Sequence, residues 1–239
     1  MLTGKYTSQL SDKQIEQLKL FAQLLQDHNK YLNLTRITEI DQIWTRHFED
    51  SLQALAVLET LRLPGRKNSL IDIGSGGGFP ALVLAVALPD WNIVSVEATG
   101  KKARFQHTAA EKMGLNNVDI YPERAEILAN QFDFRGQFDA AVTRAMGRLS
   151  IISELTMPFI KTGGKFICWK GPKLDQELIA GKAAIELLGG RDINIIPYNL
   201  PGVADSDYKL LEATQVSPVP GQYPREYKTI KASPLGEKT

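Results

Sequence analysis

Hydrophobic positions recur at two different spacings along this chain, and the change of spacing divides it near residue 64. In the front part Ile15, Leu18, Ala22 and Leu25 form one stripe with Phe21, Leu24 and Tyr31 beside it, the three-and-four spacing of an amphipathic helix. Ser11-Asp12-Lys13-Gln14 supplies a capping box at its start. A second helix is expected over residues 39–58, with Ile40, Ile43, Trp44, Phe48, Leu52 and Leu55 on its apolar side. Pro64-Gly65 is the expected hinge. Beyond it, short apolar runs at 70–73, 92–97, 117–121, 138–143 and 164–169 alternate with helical stretches, among them 81–88, 149–159 and 174–188. That alternation predicts an α/β fold, a mostly parallel doubly wound sheet covered on both faces. Residues 192–198 and 208–216 are expected to close it as an antiparallel edge hairpin. The expected organisation is a helical segment over 1–64 packed on a core over 65–217. A tail over 218–239, rich in proline and charge, is then either a surface strap or disordered.

One junction carries the chemistry. Leu70-Ile71-Asp72-Ile73-Gly74-Ser75-Gly76-Gly77-Gly78-Phe79-Pro80 reads as a buried strand, a glycine turn and a helix opened by proline. Glycines at 74, 76 and 78 permit positive φ and let a ligand approach the backbone. The dinucleotide pattern G-x-G-x-x-G/A fits only as Gly76, Gly78 and Ala81, leaving Gly74 unused. Asp-x-Gly-x-Gly-x-Gly fits the whole stretch and resembles motif I of the Rossmann-like S-adenosylmethionine methyltransferases. Glu97 ends the second strand, where a carboxylate accepts both ribose hydroxyls; nicotinamide folds use the same device. Arg124-Ala125-Glu126 comes after the third strand, where such folds meet the adenine edge. For Glu126 the alternative is an acid favoured by the helix dipole.

Composition narrows the classes. At 239 residues and 43% hydrophobic content the chain suffices for one sizeable core and an appendage. Its single cysteine, Cys168, lies in an apolar strand and reads as a core thiol. Three histidines and one cysteine show no zinc-ligand spacing, so no metal is expected. No apolar run is long enough for a membrane span, and the N-terminus lacks the pattern of a secretory signal; a cytoplasmic monomer is the expectation. A net charge of +1 offers almost no global steering of nucleic acid. Residues 97–173, with twelve basic and eight acidic side chains, are the segment from which a local patch would be built.

Five segments together resemble the RsmG (GidB) family of bacterial ribosomal RNA methyltransferases. They are Asn29-Lys30-Tyr31-Leu32-Asn33-Leu34-Thr35, Arg46-His47-Phe48-Glu49-Asp50-Ser51-Leu52, Asp72 to Pro80, Gly100-Lys101-Lys102-Ala103-Arg104-Phe105 and Thr143-Arg144-Ala145-Met146. The resemblance implies a Rossmann-like methyltransferase fold, S-adenosylmethionine as methyl donor, and N7 of one guanine in 16S rRNA, alone or in the small ribosomal subunit, as acceptor. It implies donor contacts from Asp72, Gly74, Gly76, Gly78, Phe79, Glu97, Ala98, Thr99, Ala125, Glu126 and Arg144. The likeness breaks in the tail: after Tyr223-Pro224-Arg225 the family's glycine, proline and lysine positions hold Lys228, Ile230 and Ala232.

Several side chains keep two readings. Arg144 either positions a phosphate, the guanine O6 or the donor carboxylate, or caps strand-end carbonyls. Lys101, Lys102, Arg104, Lys170 and Arg225 are candidate RNA contacts; for the first three the alternative is a solvated helix face. His47, Asp50 and Ser51 share one helical face, as a catalytic group or as a hydrogen-bonded network seating the front end on the sheet. Phe79 lines the donor pocket or packs under the glycine turn. Rival functions are a methyltransferase acting on a small molecule or protein and a nicotinamide-dependent oxidoreductase.

Overall fold

The computed structural model describes residues 4–62, 65–203 and 207–237. The expected hinge at Pro64, the first three residues of the chain and the last two of the tail lie outside the described residues.

The front end begins with α1 (Asp12–Leu32), whose Ser11–Gln14 capping box forms as expected. Asn33 ends it in the left-handed conformation, φ 49°. The second helix is not continuous. It runs as α2 (Ile40–Ile43), a π-helical stretch (Trp44–Glu49), α3 (Asp50–Leu52) and α4 (Leu55–Leu58). Hydrophobic spacing alone does not report this widening, because Trp44, Phe48 and Leu52 are buried in either register. A π turn inserts an extra residue and rotates the next helical turn relative to the one before it. Here Glu49 points back to accept the Tyr6 and Thr7 N–H groups at 3.0 and 2.9 Å. His47 and Asp50 point toward the sheet and meet Arg144.

The core alternates as the pattern requires: β1 (Ser69–Ile73), α5 (Ala81–Ala87), β2 (Asn92–Val96), α6 (Gly100–Met113), β3 (Val118–Tyr121), α7 (Ala125–Leu128), β4 (Phe138–Arg144), α8 (Leu149–Thr156), β5 (Ile160–Lys170), α9 (Leu174–Leu187), β6 (Gly190–Tyr198) and β7 (Tyr208–Gln215). The seven strands lie in the order β3-β2-β1-β4-β5-β7-β6. Strands β1 to β5 pair in parallel, and β7 pairs antiparallel with both β5 and β6. The reversed strand is thus the inner member of the hairpin, and β6 forms the edge.

The two faces follow the period of two. Ile71, Ile73, Ala141, Phe166, Cys168, Leu211 and Ala213 point to one side, where α8 and α9 cover them. Leu70, Ile93, Ala140, Val142, Ile167 and Leu210 point to the other, under α4 and α5. Phe21, Phe48, Phe79 and Phe105 join α1 and the π stretch to α5 and α6. Val219, Ile230 and Leu235 of the final segment enter the same cluster as α8 and α9, and α10 (Tyr227–Ala232) packs on α8. Cys168 is fully buried, and burial pushes its thiol up to about 12. Among the described residues no helix is long and apolar enough to cross a membrane, and no group of His, Cys, Asp or Glu could hold a metal ion.

Candidate functional site

Parallel strands put their carboxyl ends on one edge, and the crossing point of strand order lies between β1 and β4, where α/β folds bind ligands. The glycine turn sits there. Gly74, Gly76 and Gly78 all have positive φ, 75°, 59° and 93°, so the spacing reflects a backbone requirement. The Gly74 and Ser75 N–H groups donate to Val96 O at 2.9 and 3.3 Å. Gln106 donates to Gly76 O at 2.8 Å while accepting from Ser95 at 2.6 Å. A glutamine on the buried side of α6 is the one local signal for this clamp, which sequence reasoning missed.

Glu97 is the centre of the arrangement. One carboxylate oxygen accepts from Gly76 N at 2.8 Å and the other from Thr99 N at 2.7 Å. A carboxylate offers about four acceptor positions, so each oxygen keeps a lone pair for a ligand hydroxyl. Against Val96 and Ala98, the chain neighbours of Glu97, lies a cavity of about 230 Å³ whose wall also holds Gly74, Ala125 and Glu126, expected donor contacts; Glu97 itself, Asp72, Gly76, Gly78 and Thr99 are not among the lining residues. Met146 and Tyr227, among residues that the sequence does not assign there, also line it. Glu126 is also paired with Arg124 at 2.5 Å.

Asp72 lies below the turn, fully buried, where its Oδ2 accepts from Ala81 N at 3.0 Å and so caps α5. Its Oδ1 finds no partner among the described residues. Burial pushes this carboxyl up from 3.8 to about 7, against the pull of Ser75, Ala81 and Arg144. An acid whose folded value is raised contributes stability that is fully present below its unfolded value and is lost as pH rises through the folded one. Asp72→Asn keeps an acceptor for Ala81. It is expected to make stability rise more steeply with pH between 3.8 and about 7 than in the parent, as read from urea midpoints across that range. Parallel pH profiles would show that Asp72 is already ionised.

Phe79 packs under the glycine turn. It is buried there, stacked on Phe21 with centroids 5.1 Å apart and on the His47 ring at 4.3 Å and 15°, and it does not reach the cavity wall. The same ring lies 5.3 Å from the Arg144 guanidinium.

Arg144 ends β4. It donates to Asp50 Oδ2 at 2.7 Å, to Arg46 O at 3.3 Å and to His47 Nδ1 at 3.0 Å. An arginine can only donate, so His47 Nδ1 accepts and its proton sits on Nε2, which faces Thr35 Oγ1 at 2.7 Å. Burial, helped by Arg144, lowers His47 to about 3, so the ring is neutral at physiological pH. Asp50 Oδ1 accepts from Tyr198, and Trp169 Nε1 donates to Asp50 O at 2.8 Å. Burial raises the Asp50 carboxyl, with Arg144 and Tyr198 pulling it back. Asn29 closes the chain of bonds by holding both backbone groups of Thr35, at 2.8 and 2.9 Å. The network therefore seats the front end on β4, β5 and β6; Ser51 stays outside it, its hydroxyl without a partner among the described residues.

Next to Arg144 a second cavity, about 280 Å³, is lined by Arg46, Trp169, Lys170 and Tyr208 among others. The turn after β4 separates it from the first cavity, with Ala145 at φ 59° and Gly147 at φ 116°. Of the basic candidates, Lys101 and Arg104 are exposed and Lys102 half-buried at the start of α6. None of these three has an ion-pair partner among the described residues. Lys170 is instead buried against Glu177 and Gly147 O. Arg225 is bound to Glu154.

The chain matches known proteins at two levels, sequence and fold. The family model described as rRNA small subunit methyltransferase G matches residues 14–200. A ribosomal RNA small subunit methyltransferase G of Lactobacillus delbrueckii subsp. bulgaricus is 37% identical over 232 residues, covering 97% of this chain and 96% of its own. The protein of the same name from Lactococcus lactis subsp. cremoris is 35% identical, covering 95% and 93%. Among solved structures, a SAM-dependent O-methyltransferase of Thermotoga maritima superposes with TM-score 0.54 at 20% identity, over 81% of this chain and 71% of that one. This likeness shows the fold alone, a Rossmann-like methyltransferase sheet.

Proposed function

The chain belongs to the rRNA small subunit methyltransferase G (GidB) family, and on that premise we propose that it transfers a methyl group from S-adenosylmethionine to N7 of one guanine in 16S rRNA. The observation that carries the donor half is Glu97, fixed by two backbone N–H groups with lone pairs to spare, its chain neighbours Val96 and Ala98 lining the cavity. For the acceptor, relatives that match over nearly their whole length are named small-subunit rRNA methyltransferases, and the guanine N7 is what the family resemblance implies.

The residues fit the donor. A Cβ on Gly76 would meet nothing nearer than Gly74 O at 4.0 Å, so the turn leaves a bare cradle. Glu97 would hold the ribose hydroxyls, with Ala98, Ala125 and Glu126 about the adenine and Gly74 and Gly76 backing the amino-acid end. S-adenosylmethionine supplies a methyl group on a positively charged sulfur, open to displacement by a lone pair.

The chain's own groups then orient and exclude water. Guanine N7 carries an in-plane lone pair, so no proton has to be removed. This suits a site where His47 has both ring nitrogens engaged and Asp50 accepts from Arg144 and Tyr198. A guanidinium pressed on N7 would oppose charge moving onto the purine. Arg144, pinned by Asp50, Arg46 O and His47, is therefore a positioning residue that acts through this network and does not press on N7.

Because Lys170 and Arg225 are committed to carboxylates, phosphate contact falls to Lys101, Lys102 and Arg104. Replacing all three by Ala is expected to flatten the log–log salt dependence of rRNA affinity by about 2, near 0.7 per contact on single strands. An unchanged slope would return the three to a solvated helix face. The function itself is tested by transfer of labelled methyl to 16S rRNA and to small subunits, with cleavage chemistry selective for N7-methylguanine applied to the product. Label on an exocyclic amine, on ribose, or on no RNA at all would overturn it.

A further inference from the structure

The final segment, for which the sequence suggests a surface strap or disorder, supplies part of the wall of the candidate donor cavity. Tyr227 is the one aromatic ring among the described residues lining that cavity. It is 38% exposed, so it is not spent on the core. The residues around it hold it in place. Two positions earlier, Arg225 is locked to the buried Glu154. Three positions later, Ile230 is fully buried. At the far end Glu237 accepts from Ser150 and pairs with Arg148. The Arg124 guanidinium lies 5.0 Å from the Tyr227 ring and is itself held by Glu126. A ring fixed in this way loses little freedom when it stacks.

We propose that Tyr227 is a donor-binding residue, an aromatic wall against which the adenine of S-adenosylmethionine packs, so that the end of the chain closes the cofactor site. The inference rests on the assignment of the donor to the cavity beside Glu97. It applies to this chain in particular, because Tyr227 lies between Tyr223-Pro224-Arg225 and the positions 228, 230 and 232 where the family pattern is broken.

The test is calorimetric titration of the full chain with S-adenosylhomocysteine and with 5′-methylthioadenosine, which lacks the amino-acid end. Base–aromatic stacking predicts that Tyr227→Ala weakens both ligands about tenfold, by the same factor. Tyr227→Phe keeps the π face and is expected to stay within about twofold of the parent. Tyr227→Leu keeps the apolar contact and the melting temperature but not the ring, and is expected to weaken both ligands as Ala does. Affinity for rRNA is expected not to move. If the Leu and Ala variants bind both ligands like the parent, the proposal is overturned. It is equally overturned if only rRNA affinity falls, since the ring would then serve the acceptor. A parent chain that binds neither ligand would instead overturn the donor assignment itself.

Discussion

An Arg225→Ala variant is expected to unfold about 3–5 kcal/mol more easily than the parent, the usual consequence of stranding one partner of a buried ion pair. Glu154 has no exposed side-chain surface. It accepts from Arg225 N at 2.9 Å, from Nε at 2.8 Å and from Nη2 at 2.6 Å. Truncation removes the charged donors and leaves a carboxylate in the apolar layer between α8 and the final segment, answered by a single N–H. Against a total stability of about 5–15 kcal/mol, that loss is large. It is read from the urea midpoint at unchanged slope. Replacing the pair together, Glu154→Leu with Arg225→Met, is expected to recover most of the loss, because two well-packed apolar groups avoid desolvating the charges. If Arg225 served RNA alone, the single variant would leave the midpoint where it is. A change below about 1 kcal/mol would mean that water reaches Glu154 in solution.

Arg225 also shows what a sequence can and cannot convey. Gly74, Gly76 and Gly78 are legible because positive φ excludes most other residues, so the spacing is the conformation written in letters. Strands β1 and β4 are legible because each is a nearly continuous run buried on both faces. The Ser11–Gln14 cap is legible because both partners lie within four residues. A basic side chain carries no such local constraint. Lys170 and Arg225 look like surface cations until Glu177 and Glu154 are placed beside them, and the second pairing spans 71 residues. The π stretch escapes for a related reason: its register is set by what Glu49, His47 and Asp50 reach on either side, not by the apolar stripe. Tyr227 and Met146 escape because a cavity wall is assembled from segments far apart in the chain. What remains local is the pairing of turn and acid, Gly76 with Glu97.

That pairing predicts the largest effect on the donor. Glu97→Ala is expected to weaken S-adenosylhomocysteine binding about a hundredfold, since hydrogen bonds to an ionised group contribute about 1.5–3 kcal/mol each. The same change frees the Gly76 and Thr99 N–H groups, so some of the loss comes from a turn no longer held in place. Gly76→Ala separates the two causes. Its added methyl meets open space, and a left-handed alanine costs only about 1–2 kcal/mol. The free protein is expected to fold with Glu97 intact and yet bind the ligand poorly, because the methyl occupies the cradle. At Gly74, also at positive φ, an added methyl would overlap the Met146 side chain and push it from its place in the cavity wall. A loss of affinity at 76 accompanied by no more than about 1–2 kcal/mol of lost stability is therefore the signature of a ligand lying across the outer face of the turn. Titration and thermal melts on the same variants read it directly. Unaltered affinity in Glu97→Ala and Gly76→Ala would place the donor elsewhere.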